Sequence, residues 1–217
     1  MTPFQQFMKT VLASLQQRLV LLGFRKRKHV FTIPVSEDVL GMVGLNKATS
    51  GRGPGVLEIN PIIAVQNLPV ARLVAELAGE KFDETSGALA QANVGYLSPA
   101  SKYWPFLFTE TTPADELADQ LVEAVKVYGL PFIRSNEPLP ALLHTMCSTR
   151  FASPFNTVYG IPVALHLLGK NSEADAFLND ELAKLGSQTN PGAQHYRDFA
   201  SHLRERMLTS SLPIAKE

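Results

Sequence analysis

The residues able to do chemistry are few, and they are scattered along the chain. His144 and Cys147 stand three apart on a stretch with helical spacing, and His195 and His202 stand seven apart with Glu205 three further on. Each set shares a helical face, so a metal ion is the first chemistry to consider. A closed site needs about four ligands, however, and the usual pair of histidines four apart is missing. The bland reading, structural or surface histidines, is preferred, and no metal or cofactor is expected. Cys147 is the single cysteine. It follows Met146 and lies near Leu143, so it reads as a buried, inert thiol, and no Gly-x-Ser-x-Gly elbow offers another nucleophile.

Three further groups remain. Gly51, Gly53 and Gly55 resemble a phosphate cradle only superficially, because Pro54 removes an amide and Val56-Leu57-Glu58 reads as a strand where a helix should start. Asp115 and Glu116 suit the positive end of a helix, and Asp83 and Glu84 fall in a polar loop. The run Arg25, Lys26, Arg27, Lys28, His29 could meet phosphates, which keeps nucleic-acid binding as an alternative. Lys and Arg total 20 and Asp and Glu total 20, so no global field supports that alternative and nucleic acid is not the expected partner. The run is read as solubilising a helix-to-strand junction. Arg52 in the glycine loop, Asp83, Glu84, Tyr103 and Trp104 are the candidates for contact with a protein partner. An enzyme site assembled from distant residues, with Cys147, His144, His195 or His202 as raw material, remains the other alternative.

The elements that would position these groups follow from periodicity. Phe4, Phe7, Met8, Val11, Leu12, Leu15, Leu19 and Leu22 form one helical stripe that Gly23 ends. Strands are expected around Val30–Val35, Val39–Leu45 and Val56–Val65, with Pro61 marking an edge or a bulge. A helix over Leu68–Leu77 and two short strands, Asn93–Leu97 and Trp104–Thr109, come next. A helix then opens with Thr112 as N-cap and Pro113 at its first position, and is expected to stop at Gly129 before Pro131. Helices follow over Pro138–Cys147, Val158–Leu168, Ser172–Leu185 and Pro191–Leu208.

The fold class is therefore α+β: an antiparallel sheet of about four to five strands packed with helices, then an all-helical C-terminal extension. The expected division is 1–134 for the sheet domain, 135–208 for the helical extension and 209–217 for a flexible tail. At 217 residues with 45% hydrophobic and 18% charged, the chain can bury a core without disulfides. No stretch reaches the ~20 apolar residues of a membrane span, and Gln5, Gln6, Lys9, Gln16, Gln17 and Arg18 interrupt the first segment, so an export signal is not read there and a cytoplasmic location is expected.

The order of features resembles a bacterial family known as domain of unknown function 4304. The resemblance is carried by Leu22-Gly-Phe24 with its basic turn and Phe31, by Ile59-Asn-Pro61, by Gly95-Tyr-Leu97, by Trp104, and by Tyr128-Gly-Leu-Pro-Phe132, over residues 5 to 134. It implies a small α+β fold and a role as an immunity protein, binding a cognate toxin or effector in the cytoplasm without catalysis. It implies no catalytic residues.

Overall fold

The structure is a computed structural model, and it describes residues 1–148, 150–151 and 154–210. Its centre is an antiparallel six-stranded sheet, β1 (Arg25–Arg27), β2 (Val30–Pro34), β3 (Val39–Ala48), β4 (Leu57–Asn67), β5 (Ala90–Asn93) and β6 (Phe106–Phe108). The strand order is β1-β2-β3-β4-β5, and β6 also pairs with β4. Residues opposed in an antiparallel ladder share a face, and successive residues alternate faces. Val39, Gly41 and Val43 of β3 therefore share one face with Asn67, Val65 and Ile63 of β4. Leu40, Met42, Gly44 and Asn46 share the other with Gln66, Ala64, Ile62 and Asn60.

The first face is closed by helices. Val43, Leu57, Ile59, Ile63, Val65, Phe106 and Phe108 join one core with Val11, Leu15 and Leu19 of α1 (Pro3–Leu21) and with Ala118, Leu121 and Val122 of α4 (Ala114–Ala124). Burying each of the larger aliphatic side chains is worth roughly 1.5–3 kcal/mol, so this face anchors the fold. Helix α1 begins with a capping box between Thr2 and Gln5, and the backbone N–H groups of Gly23 and Phe24 close its end on the carbonyls of Val20 and Leu19. Arg18 ties α1 to α4 through Asp115 at 3.0 Å and Asp119 at 2.6 Å. Between β4 and β5 runs α2 (Leu68–Leu77), where Asn67 caps the N–H of Val70 at 3.1 Å and Pro69 occupies the first turn.

Several local expectations are corrected. Arg25–Arg27 is itself the edge strand β1, hairpinned to β2 through Lys28, which takes a left-handed φ of 53°. Pro61 lies in the central strand, not at an edge. Residues 57–59 of β4 pair with β6 and residues 62–65 pair with β5, so Pro61 stands where one flank of β4 passes between two short partners. Asn93 ends β5, and Val94–Leu97 is a short helix, α3, because the Asn93 side chain accepts from the Gly95 N–H and turns the chain. The second short strand shrinks to Phe106–Phe108. Thr112 does not cap α4; its hydroxyl accepts instead from the Thr109 N–H at 3.0 Å.

The largest correction concerns Gly129 and Pro131. The helix does not stop there, since α4 continues through a π-helical stretch, Val125–Gly129, into α5 (Leu130–Ser135). The Leu130 N–H reaches the Val125 carbonyl, and this wider turn relieves the pressure a proline at 131 would put on the carbonyl of Val127. Gly129 serves close packing, because a Cβ there would stand 2.8 Å from Ile63 Cδ1 in the core.

The remaining helices are α6 (Leu139–Met146), α7 (Pro154–Leu167), α8 (Asn171–Leu185) and α9 (Pro191–Ser210). Pro162, inside α7, lacks the N–H that would bond the Val158 carbonyl, and the Tyr196 hydroxyl of α9 donates to that carbonyl at 3.2 Å in its place. Tyr159, Tyr196 and Phe199 pack edge to face around this point, with ring centroids 4.8 to 5.3 Å from Tyr159. Two histidines of α9 meet the C-terminal carbonyls of α2: His202 Nδ1 lies 2.9 Å from Leu77 O and His195 Nε2 lies 3.1 Å from Ala78 O. Thr209 and Ser210 belong to α9, and the rest of the expected tail, 211–217, lies outside the described residues. Among the described residues no helix is long and apolar enough to cross a membrane.

Gly129→Ala separates the two readings of that glycine. A simple helix stop replaced by alanine would gain up to about 1 kcal/mol of helix propensity. Overpacking against Ile63 costs about 1–3 kcal/mol. The variant is expected to be net destabilised by about 1–2 kcal/mol in urea unfolding, and a stabilised variant would refute the packing role.

Candidate functional site

The face of the sheet away from α1 and α4 is not closed in the same way. Alternation brings Glu58, Asn60, Ile62, Ala64 and Gln66 of β4 onto it, with Asn46 opposite Asn60, Gln91 opposite Ala64 and Asn93 opposite Ile62. A groove of about 740 Å³ lies there, floored by Met42, Gly44, Ile62 and Ala64 and rimmed by His29, Tyr96, Tyr103 and Arg150. A strand whose inner face is apolar and whose outer face carries carboxylate and amide groups is what a one-sided sheet requires.

Glu58 is the best-held group on this face. It is 7% exposed, yet its carboxylate accepts from Arg52 Nε at 2.6 Å, Tyr103 Oη at 2.7 Å and Asn60 Nδ2 at 3.0 Å. The Arg52 bond first, then those from Tyr103 and Asn60, hold its pKa down at about 2. Burial, then the bond to Glu58, pushes the Tyr103 phenol above its usual value. Arg52 and Tyr103, 51 positions apart in the chain, are thus joined by a residue that strand spacing hides.

Asn93 organises the aromatic side of the groove. Its Oδ1 accepts from the Gly95 N–H at 2.9 Å and from the Trp104 N–H at 3.4 Å, which sets both α3 and the segment returning to β6. Gly95 is obligatory, because a Cβ would stand 2.3 Å from the Lys102 carbonyl oxygen and 2.5 Å from Trp104 Cβ. Three exposed aromatic residues result: Tyr96, Tyr103 and Trp104, the last stacked on Phe106 with centroids 5.2 Å apart. Arg150 is held to the Tyr96 carbonyl at 3.2 Å and to the Ser101 hydroxyl.

Asp83 and Glu84 lie apart from the Glu58 cluster. They begin the loop whose Thr85, Ser86, Gly87 and Ala88 border the groove, and they face the β1–β2 hairpin. Asp83 pairs with Lys28, and this bond together with those from the Thr85 N–H and hydroxyl holds its carboxyl well below the usual range. Glu84 pairs with Arg27 at 2.9 Å, and Lys26 donates to Gln16 at 3.0 Å. Two of the four cations, Arg25, Lys26, Arg27 and Lys28, proposed for nucleic acid are therefore answered by the two carboxylates proposed for a protein partner.

The residues considered for catalysis or metal binding are used differently. His195 and His202 contact α2 carbonyls, His195 also lies 3.2 Å from the Tyr159 hydroxyl, and His144 is exposed on α6. Cys147 is exposed, which corrects the buried-thiol expectation: Leu142 and Met146 take the buried stripe of α6, and one residue further the helix has turned Cys147 outward. Desolvation still pushes its thiol pKa up, so the thiolate is not favoured. Among the described residues no three His, Cys, Asp or Glu side chains gather to hold a metal ion.

The residues missed from sequence are the amides. Among the described residues Asn60 Oδ1, Gln66 Oε1 and Asn93 Nδ2, all on this sheet face, are buried side-chain atoms with no hydrogen-bond partner. Their signal was a two-residue polar rhythm, Glu58, Asn60 and then Gln66, inside a run read only for its apolar members. No family model matches the chain, and neither a curated protein nor a solved structure matches it.

The Glu58 network has a defined pH signature. Its folded pKa lies below the unfolded value of 4.5, so the stability it contributes is complete above pH 4.5 and is lost as pH falls towards about 2. In urea unfolding the margin of the wild type over Glu58→Gln is expected to shrink steadily across that window, and Tyr103→Phe is expected to raise the lower end of the window and reduce the total loss. A margin that stays constant from pH 5 to pH 2.5 would refute the network.

Proposed function

We propose that the protein is a non-enzymatic binding protein whose partner is a polypeptide received on the uncovered sheet face. The observation that carries this reading is the groove on that face, with an apolar floor of Met42, Ile62 and Ala64 and a rim that includes Tyr96 and Tyr103. The aromatic rim supports the same reading. Tyr and Trp offer rigid area with a polar edge and dominate binding energy at protein interfaces.

Near the groove Arg52 is matched by Glu58 and Lys28 by Asp83, and Arg150 on the rim is held by two neutral groups, the Tyr96 carbonyl and the Ser101 hydroxyl. The resemblance of residues 5–134 to domain of unknown function 4304 narrows the partner to a toxin or effector that the protein neutralises in the cytoplasm. A nucleic-acid role through Arg25–Lys28 receives less support, because Arg27 and Lys28 already have carboxylate partners.

The test is co-expression with the product of a neighbouring gene, followed by affinity measurement on the purified complex. Tyr96→Ala and Trp104→Ala are each expected to weaken binding at least about tenfold, with little dependence on salt. Lys184→Ala, on α8, serves as the control and is expected to leave affinity unchanged. A complex indifferent to both aromatic changes would exclude this face as the interface.

A further inference from the structure

The groove holds a charge that its own wall does not answer. Among the residues lining it Arg150 is a permanent cation, and none is Asp or Glu. A second groove of about 430 Å³ adjoins it and shares His29, Val30, Gly44 and Asn46. Its lining adds Lys26, Lys28 and Lys47, again with no carboxylate.

Three carboxylates stand nearby, and each has a cation of its own: Asp83 pairs with Lys28, Glu84 with Arg27 and Glu58 with Arg52. Lys26 donates to the neutral Gln16, Arg150 donates to the Tyr96 carbonyl and the Ser101 hydroxyl, and the Lys47 ammonium has no partner among the described residues. Lys26, Lys47 and Arg150 are exposed and unmatched by any acid, although the chain as a whole is neutral. Their field extends about 8 Å at physiological salt, so it acts on whatever enters the grooves without a preformed contact.

The backbone indicates what kind of molecule that is. Strand β2 pairs with residues 40–44 of β3, while β3 runs on beside β4 to Ala48. Among the described residues no strand lies along the other edge of residues 45–48, and Leu45, Asn46 and Lys47 line the second groove. Alternate residues of an antiparallel strand turn their N–H and C=O groups to each side, so this edge is open to pairing with another extended chain. A nucleic acid has phosphates for the cations but no backbone of alternating donors and acceptors for the strand.

We propose that the segment received here is extended and acidic, pairing with the open edge of β3 under the field of Lys26, Lys47 and Arg150. The inference rests on the reading that the partner is a polypeptide, and adds its charge and its conformation.

The experiment presents the full chain with random peptides displayed on phage and reads the sequences retained at about 0.15 M salt. Retained peptides are expected to be at least about twofold richer in Asp and Glu than the input. With one retained peptide made synthetically, Lys47→Gln and Arg150→Gln are each expected to weaken binding at least about threefold, within the range of an exposed ion pair. Unlike the losses at Tyr96 and Trp104, that effect is expected to vanish at about 1 M salt. Lys170→Gln on α8 serves as the control and is expected to change nothing. N-methylation of alternate backbone amides of the peptide is expected to weaken binding at least about fivefold in one register and to be tolerated in the other. Retained peptides no richer in acid than the input, with capture still lost in Tyr96→Ala, would overturn the inference and leave the groove reading standing. Capture of no peptide, equal tolerance of N-methylation in both registers, or tighter binding of single-stranded DNA than of the acidic peptide would also overturn it.

Discussion

The strand β4 must serve two environments at once, and most of the structure follows from how it does so. Along one face Leu57, Ile59, Ile63 and Val65 are sealed against helices, and along the other Glu58 is satisfied by Arg52, Tyr103 and Asn60 while Gln66 donates to the Ser86 carbonyl. A one-residue slip of register would exchange the two sets and place a carboxylate and two amides in the core. The register with β3 is held over ten residue pairs, from Val39–Asn67 to Ala48–Glu58, which makes that slip prohibitive.

Several breakers of regular structure are accommodated where local reading expects a boundary. Pro162 inside α7 is tolerated because Tyr196, on α9, takes over the carbonyl that the proline leaves free. Pro131 is tolerated because the helix widens before it, and Gly129 is there because Ile63 of the central strand comes too close for a side chain. Pro61 falls at the handover between β6 and β5. In each case local propensity points to a boundary, and the surrounding structure, a distant hydroxyl or strand or a widened helical turn, sets the outcome.

The charged residues behave in the same relational way. Arg25–Lys28 read alone is a phosphate-binding run, and Asp83 with Glu84 read alone is an acidic loop. Folded, Arg27 with Glu84 and Lys28 with Asp83 pin the loop against the β1–β2 hairpin, with Lys28 in a left-handed conformation there. Exposed pairs of this kind contribute little stability, typically 0–1 kcal/mol, and their consequence here is to tether the segment whose Thr85 to Ala88 border the groove.

Periodicity in the chain by itself determined the α+β class, the antiparallel sheet, α2 to the residue, and the four C-terminal helices to within a few residues, because burial on one side of an element imposes a spacing of two or of 3.6 that local reading detects. Of the two tyrosines on the groove rim, Tyr96 was not singled out by the sequence, whereas Tyr103 was legible. The polar floor was not, because Asn60 and Asn93 become neighbours only through β4–β5 pairing, and Arg52 meets Tyr103 only through Glu58. Which polar atoms are paired and which are left open is a property of distances across the fold, and those distances exist only once the tertiary structure has formed.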